Sequence, residues 1–287
     1  MAIKITLDPG HGQYDNKSSN NPKYIEGTQM WKLATKLKAA LEKYGFEVVT
    51  TRPKISDNPS LSARGKTAGQ NGSDMLLSLH SNAPAPNEDG TYSPSVTGSV
   101  VFYSLTDKDN KVLADKLGVK VSELMGHYYR GSKTKESEKY PGTDYYTVLK
   151  AAAQSGCKCA FIIEHGFHTN VRDSNFLLND TNLQILADAE AKTIADHFGV
   201  KLGTKPDEKD GVNVNLPILK RGSKGEEVKT VQRLLKATGY TDSSGKALVI
   251  DGSFGAKTEY AVKAFQSAEK ISADGVIGSD TWNRLLK

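Results

Sequence analysis

The sequence has 287 residues, of which 37% are hydrophobic and 25% charged, a balance typical of a folded globular protein with room for two domains. No apolar run approaches the roughly 20 residues that span a bilayer, so stable membrane insertion is not expected. The net charge of +5 is modest, and the chain lacks a basic run with interleaved aromatic residues, so nucleic acid is not expected as a partner. Residues 218–287 carry +4 of this charge, which favours an anionic polymer as the partner of that part.

The two cysteines indicate a reducing compartment. Cys157 and Cys159 are two positions apart in an apolar run, which places them on one face of a strand in a poor geometry for a mutual disulfide. Because no further cysteines could complete a structural zinc site, both are interpreted as small buried hydrophobic residues. The first strand begins at residue 2 or 3, which leaves no signal peptide, so we expect synthesis in the cytoplasm.

The first predicted strand leads into a turn that carries a histidine. Ile3, Ile5 and Leu7 alternate with polar residues, as in a strand with one face on a core. Residues 8–10 predict a turn, and His11 follows between two glycines. Ligands of open α/β sheets bind at the carboxyl ends of the strands, so His11 is a candidate ligand. The alternative is an ordinary loop histidine.

A helix and a second strand come next. Apolar residues recur at helical spacing over residues 28–44, with Thr28 as the predicted N-cap and Gly45 at the end. Glu26 lies just before this helix. Residues 46–52 predict a strand, and the strand–helix–strand order predicts a parallel βαβ unit with a right-handed crossover.

A later strand also ends in a histidine. Residues 75–82 form a continuous apolar run typical of a strand buried on both faces, with His80 near its carboxyl end. The other elements predicted up to residue 147 are a helix from residues 58–60 to residues 69–72, a long loop (83–97), a strand (99–104), a helix (107–125) and a surface loop (127–147).

A third strand ends in a carboxylate. Residues 156–167 contain a buried run that closes on Glu164, and burying a carboxylate costs free energy unless it is paired or functional. A last helix is predicted over residues 180–198 and a linker over 201–216. Beyond the linker, three short helices are predicted, and residues 251–258 repeat the pattern of residues 274–281, an Asp-Gly turn before a helix.

The strand ends bring together residue types with metal chemistry. Two imidazoles, from His11 and His80, and one carboxylate are the ligand set of a catalytic zinc site with an open position. A second carboxylate would serve as a general base. Glu26 and Glu164 are the two candidates, although a loop glutamate such as Glu26 is more often a solvated charge. The spacing itself is weak evidence, because no H-E-x-x-H pattern is present.

Four motifs in order resemble the amidase-3 family, the zinc-dependent N-acetylmuramoyl-L-alanine amidases that cut bacterial peptidoglycan. They are Asp-Pro-Gly-His-Gly at residues 8–12, Glu26 before an amphipathic helix, Ser-Leu-His-Ser-Asn-Ala at 78–83 and Ile-Glu-His-Gly-Phe-His-Thr-Asn at 163–170. The resemblance spans roughly residues 2–198. The repeats and the stretch at residues 219–225 resemble the peptidoglycan-binding domain 1 family.

The resemblance implies a site and a reaction. His11, Glu26 and His80 match the zinc ligands, and Glu164 matches the catalytic glutamate. Zinc would lower the pKa of a bound water and polarise the lactyl carbonyl of muramic acid, and Glu164 would pass the water proton to the departing L-alanine amine. The implied partner is peptidoglycan, and the oligomeric state stays open.

The elements and the resemblance together predict an α/β three-layer catalytic domain with a mostly parallel sheet and a small all-α three-helix binding module. The expected domains are residues 1–200 and 218–287, joined by a linker at 201–217. Without a signal peptide, the chain resembles a phage or prophage endolysin made in the host cytoplasm. The alternatives are a mother-cell amidase of sporulating bacteria, a zinc peptidase cutting stem peptides, and a catalytically dead wall-binding protein.

Four further histidines have weaker interpretations. The family usually has a small or apolar residue at His165, which should point away from Glu164 and be structural. His168 follows the turn after the strand and is a candidate substrate contact. His127 is interpreted as a polar loop residue, and His197 as a helix C-terminal residue, where a cation is favoured.

Overall fold

The computed structural model describes residues 3–106, 110–157, 159–201 and 216–286, and its N-terminal part is built on one mixed sheet. Within these residues the sheet has six strands in the order β2-β1-β3-β6-β4-β5. Neighbouring strands are parallel except for the antiparallel pair β4 and β6. The strands are β1 (Lys4–Pro9), β2 (Glu47–Thr50), β3 (Met75–Asn82), β4 (Ser99–Tyr103), β5 (Tyr129–Lys133) and β6 (Cys159–Phe167).

Helices cover both faces of this sheet, which gives the three layers predicted from the sequence. The helices of this part are α1 (Glu26–Lys43), α2 (Leu61–Gln70), α3 (Lys111–Met125), α4 (Thr147–Gln154), α5 (Val171–Leu178) and α6 (Asp180–His197). Leu77, Leu79 and Ile163 belong to the large core under α1, α3 and α6. Leu76 and Ile162, one position away along each strand, pack against α2 and α4. Alternate residues of the central strands therefore serve opposite faces.

The first βαβ unit forms as predicted, with a different helix start. β1 and β2 pair in parallel, and Gly45 adopts a φ of +84° after the end of α1, where glycine avoids strain. The prediction of Thr28 as the N-cap is wrong, because α1 begins at Glu26 with Ile25 in the cap position. The Thr28 hydroxyl donates to the Gln13 carbonyl at 2.6 Å, so it holds the preceding loop.

The prediction of a single surface loop over residues 127–147 is wrong at its start. Strand β5 lies inside this range and pairs in parallel with β4 at the edge of the sheet. Its sequence, Tyr-Arg-Gly-Ser-Lys, lacks apolar alternation because most of its residues are only half-buried. The predicted start of the helix at residues 107–109 and most of the predicted linker, residues 202–215, lie outside the described residues.

Three helices form the C-terminal module (residues 216–286), as the sequence predicts. They are α7 (Glu226–Ala237), α8 (Ala256–Ala268) and α9 (Ser279–Leu285). Their apolar residues pack around Trp282, which is fully buried, and α7 lies against α3 and α6 of the N-terminal part.

A glutamine holds each copy of the internal repeat. Gln266 on α8 donates to Asp274 Oδ1 (2.9 Å), Val276 O (2.9 Å) and Thr281 Oγ1 (3.0 Å), and its Oε1 accepts from Gly275 N at 2.8 Å. Gln232 on α7 makes the equivalent four contacts with the first Asp-Gly turn, at 2.8 to 3.2 Å. The repeat is therefore a helix–turn unit fastened by an interior amide.

The cysteines lie only partly as the sequence indicates. Cys157 is buried, as predicted, but Cys159 is only half-buried. The expected shared face of a strand is wrong, because Cys157 precedes β6 and packs with Leu76, while Cys159 packs against the core on the opposite face of the sheet. No disulfide joins them in the described part of the chain. Burial raises the pKa of the Cys157 thiol to about 11, which keeps it protonated and poorly nucleophilic. Among the described helices, none combines the length and the apolar character needed to cross a bilayer.

Candidate functional site

Three adjacent strands deliver the predicted site residues to one edge of the sheet. β1, β3 and β6 are neighbours and parallel, so their carboxyl ends meet at this edge. His11 follows β1, His80 lies on β3, and Glu164 lies on β6 directly opposite His80 in the ladder. Glu26, the first residue of α1, completes the group. The convergence expected from the strand ends is therefore present.

Three of these residues form a compact cluster. Ligand atoms of His11, Glu26 and His80 lie within 4.8 Å of one another. Glu26 Oε1 is 3.0 Å from His80 Nδ1 and 3.4 Å from His11 Nε2, and the two imidazole rings are 5.0 Å apart at 77°. The Glu26 side chain is 0% exposed, so the alternative of a solvated loop charge is wrong. Two imidazole nitrogens and a buried carboxylate fit a divalent metal ion such as zinc.

The electrostatics of the cluster reflect this close approach. Burial alone would raise the pKa of Glu26, but hydrogen bonds from His11 and His80 outweigh it and hold that pKa far below its usual range. Burial lowers the pKa of His80, but the Glu26 carboxylate opposes it more strongly and raises that pKa to about 9. Glu26 is therefore ionised at neutral pH, as a metal ligand must be.

Glu26 is also fixed by neighbours that the sequence did not reveal. Its Oε1 accepts from the backbone N–H of Ser81 at 2.9 Å, and its Oε2 accepts from the side-chain amide of Asn16. His168 Nδ1 lies 3.5 Å from Oε2. A carboxylate with these contacts keeps one orientation, because rotation would break several hydrogen bonds at once.

The turn that carries His11 is held by two buried arginines. His11 has a φ of +59°, a left-handed conformation that is uncommon for a residue with a side chain. Arg64 donates to the carbonyls of Pro9 (2.8 Å) and His11 (2.9 Å), and Arg52 donates to that of Gly10 at 3.2 Å. At Gly10 a Cβ would lie 2.3 Å from the His80 ring, so only glycine lets the turn approach that ligand.

Asp8 anchors this arrangement from inside the sheet. It was predicted as a turn residue, but it is the fifth residue of β1 and 1% exposed. Asp8 Oδ1 accepts from Arg64 Nη1 at 2.9 Å and from the Thr51 hydroxyl at 2.5 Å, and Asp8 Oδ2 accepts from the Ser78 hydroxyl at 2.7 Å. The alternation of β1, in which Asp8 follows Lys4 and Thr6 at every second position, was the available signal that Asp8 belongs to the strand.

Glu164 has the properties of a base. It lies on the same face as His80, toward α2 and α4, and its Oε2 is buried with no hydrogen-bond partner among the described residues. Burial raises the pKa of Glu164, His80 lowers it and Glu26 raises it, and the net pKa is about 7. A carboxylate with a pKa near the working pH is suited to accept and return a proton.

An open cleft runs beside the two histidines. A cavity of about 340 Å³ is lined by His11, His80, Arg64, Leu61 and Val148, among others. Leu61 begins α2 and Val148 is the second residue of α4, so these helices form one wall of the cleft. This volume gives a substrate access to the cluster from the solvent side.

The other histidines are buried in ways that the sequence shows only in part. His165 points to the opposite face from Glu164, as predicted, and its Nε2 lies 2.7 Å from Glu190 Oε1. His168 is 3% exposed and stacks on Tyr24 at 6.0 Å. Its Nδ1 lies 3.0 Å from the Ser81 carbonyl and 3.5 Å from Glu26 Oε2, so its burial favours these contacts over the predicted contact with substrate.

His127 and His197 lie away from the cluster. His127 lies in the loop between α3 and β5, as predicted. Its side chain is nevertheless 0% exposed, and its Nδ1 lies 3.3 Å from Asp173 Oδ1. His197 ends α6 as predicted. Burial and Lys116 lower its pKa, which opposes the cationic form expected at a helix end.

The fold and the cluster together define a class: an α/β protein with a candidate metal site at the carboxyl edge of its sheet. Residues 5–196 match the family model described as N-acetylmuramoyl-L-alanine amidase, and residues 224–285 match that of a peptidoglycan-binding domain. The chain belongs to this amidase family, whose match covers well over half of its length.

Two curated relatives are similar to parts of this chain. The "Probable cell wall amidase LytH" of Staphylococcus aureus is 28% identical over 196 residues, which are 68% of this chain and 58% of that protein. The zinc D-Ala-D-Ala carboxypeptidase of Streptomyces albus G is 43% identical over 69 residues. That match covers 24% of this chain and 26% of the carboxypeptidase. The match to this chain thus spans somewhat more than half of the length of the amidase and about a quarter of the length of the carboxypeptidase.

Solved structures share the fold of the N-terminal part. The catalytic domain of CwlV, an N-acetylmuramoyl-L-alanine amidase from Bacillus (Paenibacillus) polymyxa, matches with a TM-score of 0.57 and 20% identity, over 69% of this chain and 99% of that one. Cwp6 from Clostridium difficile matches with a TM-score of 0.59 and 23% identity, over 68% of this chain and 29% of that one.

Proposed function

We propose that this protein is an N-acetylmuramoyl-L-alanine amidase that hydrolyses the amide between the lactyl group of muramic acid and L-alanine in bacterial peptidoglycan. The observation that carries the proposal is the His11–Glu26–His80 cluster, with Glu164 opposite His80 at the same sheet edge. We propose that His11, Glu26 and His80 hold Zn²⁺. A zinc ion bound there would supply Lewis-acid chemistry, polarising the scissile carbonyl and lowering the pKa of a water molecule.

The residues of the chain account for the proton transfers. With a pKa near 7, Glu164 accepts the proton of the attacking water as its oxygen bonds to the lactyl carbonyl carbon. The same carboxyl then gives that proton to the L-alanine nitrogen as the carbon–nitrogen bond breaks. Glu26, ionised and held by Ser81 and Asn16, keeps its position through both steps. In this proposal His168 does not contact the substrate. Its Nδ1 lies 3.0 Å from the Ser81 carbonyl and 3.5 Å from Glu26 Oε2, so it holds the backbone beside the carboxylate.

We propose that the C-terminal module binds the wall while the N-terminal part cuts it. This module carries most of the net positive charge of the chain, and its binding partner would be the anionic peptidoglycan polymer. Residues 1–200 and 218–287 are proposed as separate folding units with the linker at 201–217. The biological role we propose is that of an endolysin made in the host cytoplasm, with sporulation as the alternative.

The test separates the proposed base from the proposed ligand. Glu164→Gln keeps the size of the side chain but cannot accept a proton, so zinc content should stay at the parent level while turnover falls by about 10²–10⁴-fold. Glu26→Gln weakens a charged ligand, so zinc should be lost and partly restored by excess metal. Zinc is measured by elemental analysis, and turnover by the free L-alanine amino termini released from purified cell walls.

Two results would contradict the assignment of Glu164 as the base and Glu26 as a ligand. Loss of zinc from Glu164→Gln would make Glu164 a ligand. Parent-level zinc content and turnover in Glu26→Gln would show that Glu26 is not part of the site. New amino termini other than L-alanine would identify a peptidase acting on the stem peptides.

The binding role of the C-terminal module has its own test. The full-length chain and a variant truncated at residue 201 are compared for sedimentation with purified cell walls. Equal sedimentation of the two would contradict the proposed binding role of the module.

A further inference from the structure

The backbone beside His80 departs from regular strand pairing. His80 lies opposite Glu164, but Asn82 lies opposite Phe167, so β6 contains one residue more than β3 between these two pairs. The extra residue falls at His165 and Gly166, and Gly166 has a φ of +86°, as bulged strands often require. A bulge interrupts the regular hydrogen bonds of the ladder, so the groups near it need other partners.

Side chains supply those partners at the peptide unit that follows His80. The carbonyl of His80 lies 3.0 Å from His165 Nδ1, and the N–H of Ser81, the other end of the same peptide, donates to Glu26 Oε1 at 2.9 Å. Because a carbonyl only accepts, Nδ1 of His165 must carry the hydrogen. One peptide unit is therefore held from both ends, by Glu26 on one side and by His165 on the other.

His165 is itself held by a residue of α6. Its Nε2 lies 2.7 Å from Glu190 Oε1, and both side chains are 0% exposed. Glu190 Oε2 has no hydrogen-bond partner among the described residues. A buried ion pair gains little net stability, and replacing it with apolar residues of similar volume is often neutral. Stability alone is thus a weak reason for a chain to place two ionisable groups here, directly behind a candidate metal ligand.

We propose that His165, oriented by Glu190, is a positioning residue for the metal site. By holding the His80 carbonyl it fixes the peptide whose N–H orients Glu26, so the imidazole of His80 and the carboxylate of Glu26 keep one relative placement. Residues that orient metal ligands in this way are worth about 10–100-fold in metal affinity. The inference rests on the metal site proposed above.

The test uses two variants that differ only in the donor at position 165. The double variant H165L/E190L removes the donor and leaves no buried charge. The double variant H165N/E190L keeps a side-chain N–H near the place of Nδ1, while its apolar residue 190 is the same. Zinc dissociation constants are measured by competition with a chromophoric chelator, and the fold is followed by circular dichroism and thermal unfolding.

The expected result is that H165L/E190L binds zinc about 10–100-fold more weakly than the parent chain, while H165N/E190L stays within about threefold of it. Equal zinc affinity in a folded H165L/E190L overturns the proposal. So does a folded H165N/E190L that has lost tenfold or more, and this second outcome decides the matter even if the leucine pair fails to fold. H80A is the control for the metal site: if it keeps its zinc, the proposed ligand set fails, which is a different failure.

Discussion

Removing Arg64 should destabilise the protein more than any single substitution of an exposed arginine. The guanidinium is 2% exposed and makes five hydrogen bonds, to Asp8, Asn58 and the carbonyls of Pro9, His11 and Pro59. Removing one partner of a buried ion pair costs about 3–5 kcal/mol, because the other charge stays buried. In Arg64→Met the hydroxyls of two neighbours still donate to Asp8, so we expect the lower end, about 3 kcal/mol.

A loss of this size is measurable by urea unfolding and by heat. At about 2–4 °C per kcal/mol for a domain of 150–250 residues, Arg64→Met should lower the melting temperature by roughly 6–12 °C. Trp31 donates its indole N–H to the Arg52 carbonyl at 3.1 Å, so its fluorescence reports on unfolding near this network. The matched control is Arg221→Met, which breaks an arginine–glutamate pair with a 64% exposed arginine and should cost less than about 1 kcal/mol.

A double-mutant cycle identifies the cause of the loss. Asp8→Asn leaves the Arg64 charge buried without its carboxylate, so it is also destabilising. Combining it with Arg64→Met removes both charges, and the double variant should be at least about 1 kcal/mol more stable than the sum of the single losses predicts. Strict additivity, or a loss below about 1 kcal/mol for Arg64→Met, would refute the idea that a buried pair supports the His11 turn.

Three further predictions follow from close contacts and burial. Gly10→Ala places a Cβ 2.3 Å from the His80 ring, so zinc affinity should fall at least about tenfold by chelator competition, while Gly255→Ala, with open space around it, should change nothing. Gln266→Leu removes four hydrogen bonds and should cost about 2–4 kcal/mol in urea unfolding; an unchanged midpoint would contradict the role of the amide. Burial raises the pKa of Asp188, so its ionisation opposes folding at neutral pH. Asp188→Asn should therefore raise the melting temperature at pH 7 and much less near pH 3.5, where most of the carboxyl is protonated even in the unfolded state. An equal gain at both pH values would contradict this.

The sequence by itself determined the elements whose pattern is local. The run at residues 75–82 predicts β3 with its observed bounds, because four of its first five residues are apolar, as in a strand buried on both faces. The site residues at the strand ends were also predictable, since parallel strands point their carboxyl ends to one edge. The three helices of the C-terminal module follow from periodicity in the same way.

Elements that depend on distant neighbours were not predictable in this way. Strand β5 has too little apolar alternation to be distinguished from a loop, and pairing with β4 is what makes it a strand. Helix α5 has eight residues and begins at an Asn170 cap, a signal too short to stand out from the turn before it. Thr28 has the residue type of an N-cap, but a carbonyl 15 residues away competes for its hydroxyl.

Only the tertiary structure decided which polar residues support the site. Periodicity reports that a position is buried, but it does not report which group lies opposite, and here the partners are far apart in the chain. Arg64 meets Asp8 across 56 residues, and His165 meets Glu190 across 25. The candidate ligands were recognisable from their chemistry and their place at strand ends. The residues that hold them still became visible only when the sheet brought β1, β3 and β6 together and the helices closed over both faces, because burial forces each polar group there to find a partner.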